Sequence, residues 1–251
     1  MFGLLLQATR LRLAVCICAS SVAFVGYAPS AQAALTLSTT RIIYDSDKRS
    51  ASLIVANPST RIYAVQAWVN TSLDDTTTPV PFMPSPGLFR LNPGKQQQVQ
   101  INGLPNDLPT DRESLFYFNA QEIPQATAEE TNVLSIALRT RIKLFYRPAQ
   151  VKGNPINSLE RLQWSLQKTQ GKTKLVVNNP TPFHVTFGRI EVVAEGKPHS
   201  LSNAQMALPM QQQTFSLEGV SPTPDMQVRF SAINDYGGVS KTLSAPLTHR
   251  P

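Results

Sequence analysis

The sixteen residues Asn132–Arg147, NVLSIALRTRIKLFYR, constrain this chain more than any other stretch. Even positions read Leu134, Ile136, Leu138, Thr140, Ile142, Leu144 and Tyr146, while odd positions include Arg139, Arg141, Lys143 and Arg147. Alternation with a period of two describes a strand with one apolar and one basic face. At roughly 3.3 Å per residue the segment runs about 50 Å, whereas ordinary strands hold roughly 5–6 residues. A small sandwich cannot cover so long an apolar column. Part of Leu134, Ile136 and Leu138 is therefore expected to project past its own core towards a partner; the competing reading buries the whole strand at home.

The N-terminal 33 residues read as a cleavable export signal. Arg10 and Arg12 open it, an apolar run follows from Leu13 to Val25, and Ala31-Gln32-Ala33 is an A-x-A cleavage site. That run is shorter than the ~20 residues needed to span a bilayer. Both cysteines, Cys16 and Cys18, fall inside the signal, so the mature chain is expected to lack thiols and disulfides. Its fold must then rest on burial, which 218 residues can supply. The net charge is +7, of which Arg10 and Arg12 account for two. A basic exported protein can favour anionic surfaces or acidic partners. Nucleic acid is disfavoured as a partner by the address and by the lack of basic residues interleaved with stacking aromatics.

Helical periodicity is nearly absent. Short alternating segments rich in Val, Ile, Thr and aromatics recur at about 35–44, 50–56, 62–69, 88–91, 96–102, 114–121 and 132–146. Turn signals separate them at Asn57-Pro58, Pro84-Ser85-Pro86-Gly87, Asn92-Pro93-Gly94 and Asn106-Asp107. Seven strands in this span predict an Ig-like sandwich over residues 34–150. A Gly/Asn/Pro linker follows at 151–157. A second β-sandwich is expected over 158–251, with strands near 161–166, 173–178, 184–193, 213–217, 226–233 and 239–244 and turns at Asn178-Asn179-Pro180, Glu195-Gly196-Lys197-Pro198 and Asp235-Tyr236-Gly237-Gly238. The fold class is all-β: two Ig-like sandwiches set at an angle around a cleft.

No residue pattern supports catalysis. His184, His199 and His249 lack metal-ligand spacing, and no G-x-S-x-G elbow or phosphate-cradling glycine loop is present. Asp74-Asp75 and Glu129-Glu130 are adjacent acids in loops and read as solvated charge, since glycosidase carboxylates come from separate elements facing a cleft. Trp68 and Trp164 read as core positions. Enzyme, cofactor and metal are all disfavoured.

Single cations inside strand patterns are more informative. In the 35–44 segment the odd positions run Leu35, Leu37, Thr39, Arg41, Ile43, which puts Arg41 in the apolar column of the first strand. Burying that charge alone would cost several kcal/mol, and no acid is close in sequence. A distant internal carboxylate, an external anion, or snorkelling to solvent would each satisfy it. Lys143 raises the same question. Two such cations converging at a cleft would make a carboxylate-capture site.

These segments also carry a resemblance. Leu108–Pro124, LPTDRESLFYFNAQEIP, is similar to the signature of the PapD-like proteins, the periplasmic chaperones of chaperone–usher pili. NVLSIALRTRIKLFYRP (132–148) resembles that family's donor strand, Thr40–Tyr44 its first strand, Asn178–Phe183 its second-domain N-P-T-P-[FY] segment, and Ile233–Gly238 its second-domain turn. Ala120, where a branched aliphatic is usual, departs from the pattern at a position that binds nothing. The resemblance implies that Arg41 and Lys143 anchor the C-terminal carboxylate of a pilin subunit. It implies that Leu134, Ile136 and Leu138 are donor side chains filling the groove of an incomplete subunit, and that Glu113, Arg147 and Asp235 form a buried network fixing the domains. Partners would be pilin subunits and an outer-membrane usher, without nucleotide, and a second copy of the chain is a further candidate to cover the donor face. The seven-residue loop QATAEET (125–131) matches the short-loop, rod-forming type. The alternatives are a secreted Ig-like adhesin or pilus subunit, which would carry a disulfide and its own N-terminal donor extension, and an Ig-like carbohydrate-active enzyme, which would need acids or aromatics lining one cleft.

Overall fold

The structure, a computed structural model, describes residues 35–124, 136–169, 172–202, 204–217, 220, 223 and 225–250. The first sandwich pairs a four-stranded sheet, in the order β1 (Thr36–Leu37), β3 (Ser50–Ala56), β7 (Gln96–Gly103), β5 (Phe82–Ser85), with a five-stranded one. The second sheet runs β2 (Arg41–Asp45), β9 (Arg139–Arg147), β8 (Ser114–Pro124), β4 (Tyr63–Asn70), β6 (Leu88–Leu91). Inward side chains alternate along each strand, among them Val55, Val65, Val99, Phe118 and Leu144, all fully enclosed. Each such residue contributes about 1.5–3 kcal/mol of burial, the only large stabilising term open to a fold without cross-links.

The second sandwich repeats the plan. One sheet is β14 (Gln211–Ser216), β11 (Lys172–Asn179), β10 (Gln163–Thr169), β17 (Thr248–Arg250), and the other is β13 (Lys197–Ser200), β12 (Phe187–Ala194), β15 (Gln227–Ala232), β16 (Leu243–Pro246). Trp164 lies in its core between Phe187 and Phe230, and a 3₁₀ turn at Ile156–Arg161 delivers Leu159 to the same cluster.

Several sequence expectations change. The first strand is two strands in opposite sheets: β1 pairs with β3, and β2 pairs in parallel with β9. Ser38 makes the last tie to the first sheet, exchanging hydrogen bonds with Ile54, and the chain crosses over at Thr39–Thr40. The crossing resets the pattern. Ile42 and Tyr44 face the core, so Arg41 and Ile43 face outward and Arg41 does not sit in the apolar column.

The predicted 132–146 strand begins only at Arg139; Ile136–Leu138 lie outside it, and Asn132 and Leu134 lie outside the described residues. Trp68 is not a core residue. Val65, Ala67 and Val69 take the inward positions of β4, which leaves Trp68 half-buried on the outer face. Two segments read as turns contain strands, Phe82–Ser85 and Lys197–Ser200. Only Glu195 and Gly196, with φ of 51° and 77°, form the β12–β13 turn, the pair of left-handed residues that a two-residue hairpin requires.

Candidate functional site

Parallel pairing of β2 with β9 sets Arg41 opposite Lys143 and Asp45 opposite Arg147. The odd residues of both strands point away from the first core, and the lower part of this face is covered by the second sandwich. Phe145 packs there against His184 with ring centroids 5.4 Å apart.

At the foot of β9, Arg147 is sandwiched between two acids from different domains. Its Nε donates to Glu113 Oε1 at 2.9 Å, while its two terminal nitrogens donate to the Asp235 carboxylate at 2.9 and 3.1 Å. Glu113 is buried and is further satisfied by the His184 backbone N–H at 2.8 Å, with His184 Nδ1 at 3.2 Å. Burial alone would lower the Arg147 pKa, but the Asp235 and Glu113 carboxylates outweigh it and the guanidinium stays charged. The three residues named from sequence are therefore brought together. His184 is an addition: its position beside Glu113 is invisible in a chain where 71 residues separate them.

Above this network the balance of charge reverses. Arg41 is buried, donates from one terminal nitrogen to the carbonyl of Ile233 at 3.1 Å, and its Nε has no hydrogen-bond partner among the described residues. Lys143 Nζ makes only a long contact, 3.5 Å, to Thr186 Oγ1. Neither cation forms an ion pair with a described carboxylate. Asp235, whose field reaches Arg41, commits both oxygens to Arg147. Burial, then the charge of Arg41, holds the Lys143 pKa below the ordinary lysine value; burial lowers that of Arg41, against the pull of Asp235. Two adjacent, partly desolvated cations with unspent donors are chemically suited to receive a carboxylate.

The second-domain turn Asn234–Gly238 walls this site. Asn234 Oδ1 accepts from the N–H groups of Tyr236 and Gly238. Gly237, at φ 87°, lies so close to Thr40 that a side-chain carbon there would collide with the hydroxyl.

The strand edge next to the cations is open. β2 pairs with β9 only from Lys143 onward, leaving the Ile142-to-Ile136 side of that edge without a neighbouring strand among the described residues. Ile136 and Leu138 are exposed by 61% and 53%, a large apolar exposure for adjacent alternate positions. On the other edge β9 pairs with β8 as far as Arg139, opposite Gln121. Beyond that, Glu122 takes over. Its N–H donates to the Leu138 carbonyl and its carboxylate accepts from the Leu138 N–H at 3.3 Å. Burial raises the Glu122 pKa, against that same N–H. Glu122 was not singled out in the sequence, because a lone acid in a strand gives no sign of pairing with backbone.

Asp74 is also more than solvated charge: it pairs with Arg139 at 2.5 Å and with Arg141 at 3.5 Å. Glu129 and Glu130 lie outside the described residues. No group of three or more His, Cys, Asp or Glu among the described residues could hold a metal.

Comparison with known proteins identifies the family. Residues 34–152 match the family described as pili and flagellar-assembly chaperone, PapD N-terminal domain, and residues 157–244 match pili assembly chaperone PapD, C-terminal domain. The chain is 38% identical to the chaperone protein PapD of Escherichia coli over 83% of its own length and 84% of that protein. It is 35% identical to the probable fimbrial chaperone YadV of Escherichia coli strain K12, over 86% and 92%. A crystal structure of the YadV chaperone superposes with a TM-score of 0.74 at 34% identity, covering 86% of this chain and 100% of that one. The SafB chaperone, solved with the SafA pilin of Salmonella enterica, provides another match, with a TM-score of 0.73 at 30% identity over 87% and 99%. Two sandwiches and the likeness over both halves make this chain a member of the PapD family of pilus-assembly chaperones.

Proposed function

We propose that the protein acts in the periplasm as a non-enzymatic chaperone that holds pilin subunits by donor-strand complementation and passes them to an outer-membrane usher. One observation carries the reading: among the described residues, a pair of in-register cations without an acid partner stands at the end of an open, apolar strand edge. A subunit chain ending in a carboxylate on Arg41 and Lys143 lies in line with β2, and so runs parallel to β9 along its free edge. Leu138 is five residues from Lys143, about 17 Å at 3.3 Å per residue, so the anchor fixes how the subunit's last strand meets the donor residues. A one-residue slip would turn each knob to the wrong face. Leu134, Ile136 and Leu138 would fill the groove of a subunit lacking a strand, covering an edge that otherwise templates aggregation. The chaperone–pilin complex of the relative SafB supports such a partner, and no observation favours the adhesin alternative. Glu113, Arg147 and Asp235 would hold the two sandwiches in the relation that keeps the anchor facing the edge.

The test is binding of a purified subunit to Arg41→Ala and Lys143→Ala. Removing one partner of a desolvated charge pair costs about 2–5 kcal/mol, so each variant should lose roughly 30-fold or more in Kd without a change in melting midpoint. A subunit with an amidated C terminus should lose as much against the unaltered chaperone. Equal affinity in all these pairings would remove the carboxylate anchor.

A further inference from the structure

The face of β9 opposite the exposed knobs is held down by a loop for which the reading above has no use. Residues 71–78 leave β4 and fold over the outer surface of the β4–β8–β9 sheet. Within the loop, Asp75 accepts hydrogen bonds from Thr77 and Thr78, and Asp74 adopts a left-handed φ of 59°. This conformation, costly for most residues and tolerated by Asp, turns the Asp74 carboxylate onto the root of the donor strand. There it takes a hydrogen bond from Arg139, lies 3.5 Å from Arg141 Nε, and is steadied by Asn70 Nδ2 at 2.9 Å. Asn70 in turn is held by the buried Asn119, the register partner of Arg141. Both arginines are seated on aromatic rings: Arg141 stands 3.8 Å above Tyr117, Arg139 5.9 Å from Trp68. Arg141 also donates to the Thr71 carbonyl at 2.7 Å.

We propose that Asp74 is a positioning residue for subunit binding: through Arg139 and Arg141 it clamps the root of the donor segment on the face opposite Ile136 and Leu138. The proposal rests on the chaperone reading and deepens it. Among the described residues Ile136 and Leu138 have no strand pairing on the guest's side, and an unpinned segment would lose more conformational freedom on binding. Clamping begins one residue after Leu138, so the ordering needed at binding is confined to the residues that enter the subunit. The ion pairs are half-exposed, which by itself would make them weak. Their shared carboxylate, stacked guanidinium groups and buried Asn119–Asn70 support make them a network rather than isolated pairs.

The test uses Asp74→Asn, which keeps the shape and the Asn70 contact but removes the charge, beside Arg139→Met and the double variant. In the free chaperone, Asp74→Asn should speed amide exchange at Leu138–Arg141 while the melting midpoint stays put. Subunit affinity should fall about three- to ten-fold, as expected for a small ion-pair network. Arg139→Met should do the same, and the double variant should be no worse than the worse single one. Unchanged exchange with unchanged affinity would overturn the clamp, as would additive losses, which would mean that Arg139 meets the subunit directly. Should the unaltered chaperone bind no subunit, the chaperone reading fails, and the exchange measurement still decides whether Asp74 orders the strand root.

Discussion

In the proposed anchor, Lys143 is a partly buried charge that an arriving carboxylate would pair. Burial and Arg41 depress its pKa, so in the free protein its protonated form is disfavoured, and stability from this group rises as pH climbs through the depressed value. An arriving carboxylate acts in the opposite direction, favouring the charged form. Subunit affinity should therefore weaken as pH rises through the lowered lysine pKa, sooner than an ordinary lysine would allow, while Lys143→Arg should flatten the dependence. Isothermal titration across alkaline pH would show both trends. Arg41 and Lys143 were legible in sequence as single cations inside strand patterns. Which way Arg41 faced was not, because the crossover at Thr39–Thr40 contains neither Gly nor Pro to announce it. His184, Glu122 and Asp74 were out of reach for a plainer reason: their partners come from distant strands, and only tertiary register brings them together.

At the scale of elements, β9 divides its labour. Its lower half is anchored between β2 and β8, with Leu144 in the core, and its upper end gives way to an exposed apolar segment. The alternation in NVLSIALRTRIKLFYR announced both parts, and composition alone could not say where the strand would stop. That boundary depends on where β8 runs out of partners and Glu122 takes over. Ile136→Asp should weaken subunit binding by about 2 kcal/mol or more, as expected for a charge forced into an apolar groove, yet leave the melt untouched, since the side chain contributes nothing to its own core. Fluorescence-detected binding beside a thermal scan separates the two effects. Strand positions were read well where β-branched residues alternate cleanly, as at Gln96–Gly103, where Val99 and Ile101 are separated by Gln100. They were missed at Phe82–Ser85 and Lys197–Ser200, where proline inside an edge strand mimics a turn.

For the molecule as a whole, the Glu113–Arg147–Asp235 cluster is the main polar joint between the sandwiches. Its members differ in how much they are enclosed. Glu113 is almost wholly shut in and serves Arg147 and His184 at once, whereas Asp235 keeps some contact with solvent. Glu113→Ala should therefore be the more damaging, at about 1–3 kcal/mol for the buried donors of Arg147 Nε and the His184 N–H left without an acceptor, with a drop in Tm of roughly 2–4 °C per kcal/mol for a chain of this length. Asp235→Ala should lower Tm by less; the reverse ranking in calorimetry would show that the joint is held by the turn and not by Glu113. The fold class was readable from spacing, but the joint itself was readable only through the family resemblance, since no pattern within either half predicts a contact across them.

The crossover at Thr39–Thr40 has a last consequence. Because β2 already occupies the ladder beyond Arg41, a guest strand travelling down the free edge meets a closed end. A loop or an internal stretch of polypeptide would have nowhere to continue, whereas a chain that simply stops fits. In the proposed complex the receptor would thus distinguish a terminus from a mid-chain sequence by obstruction, before any side chain has been recognised.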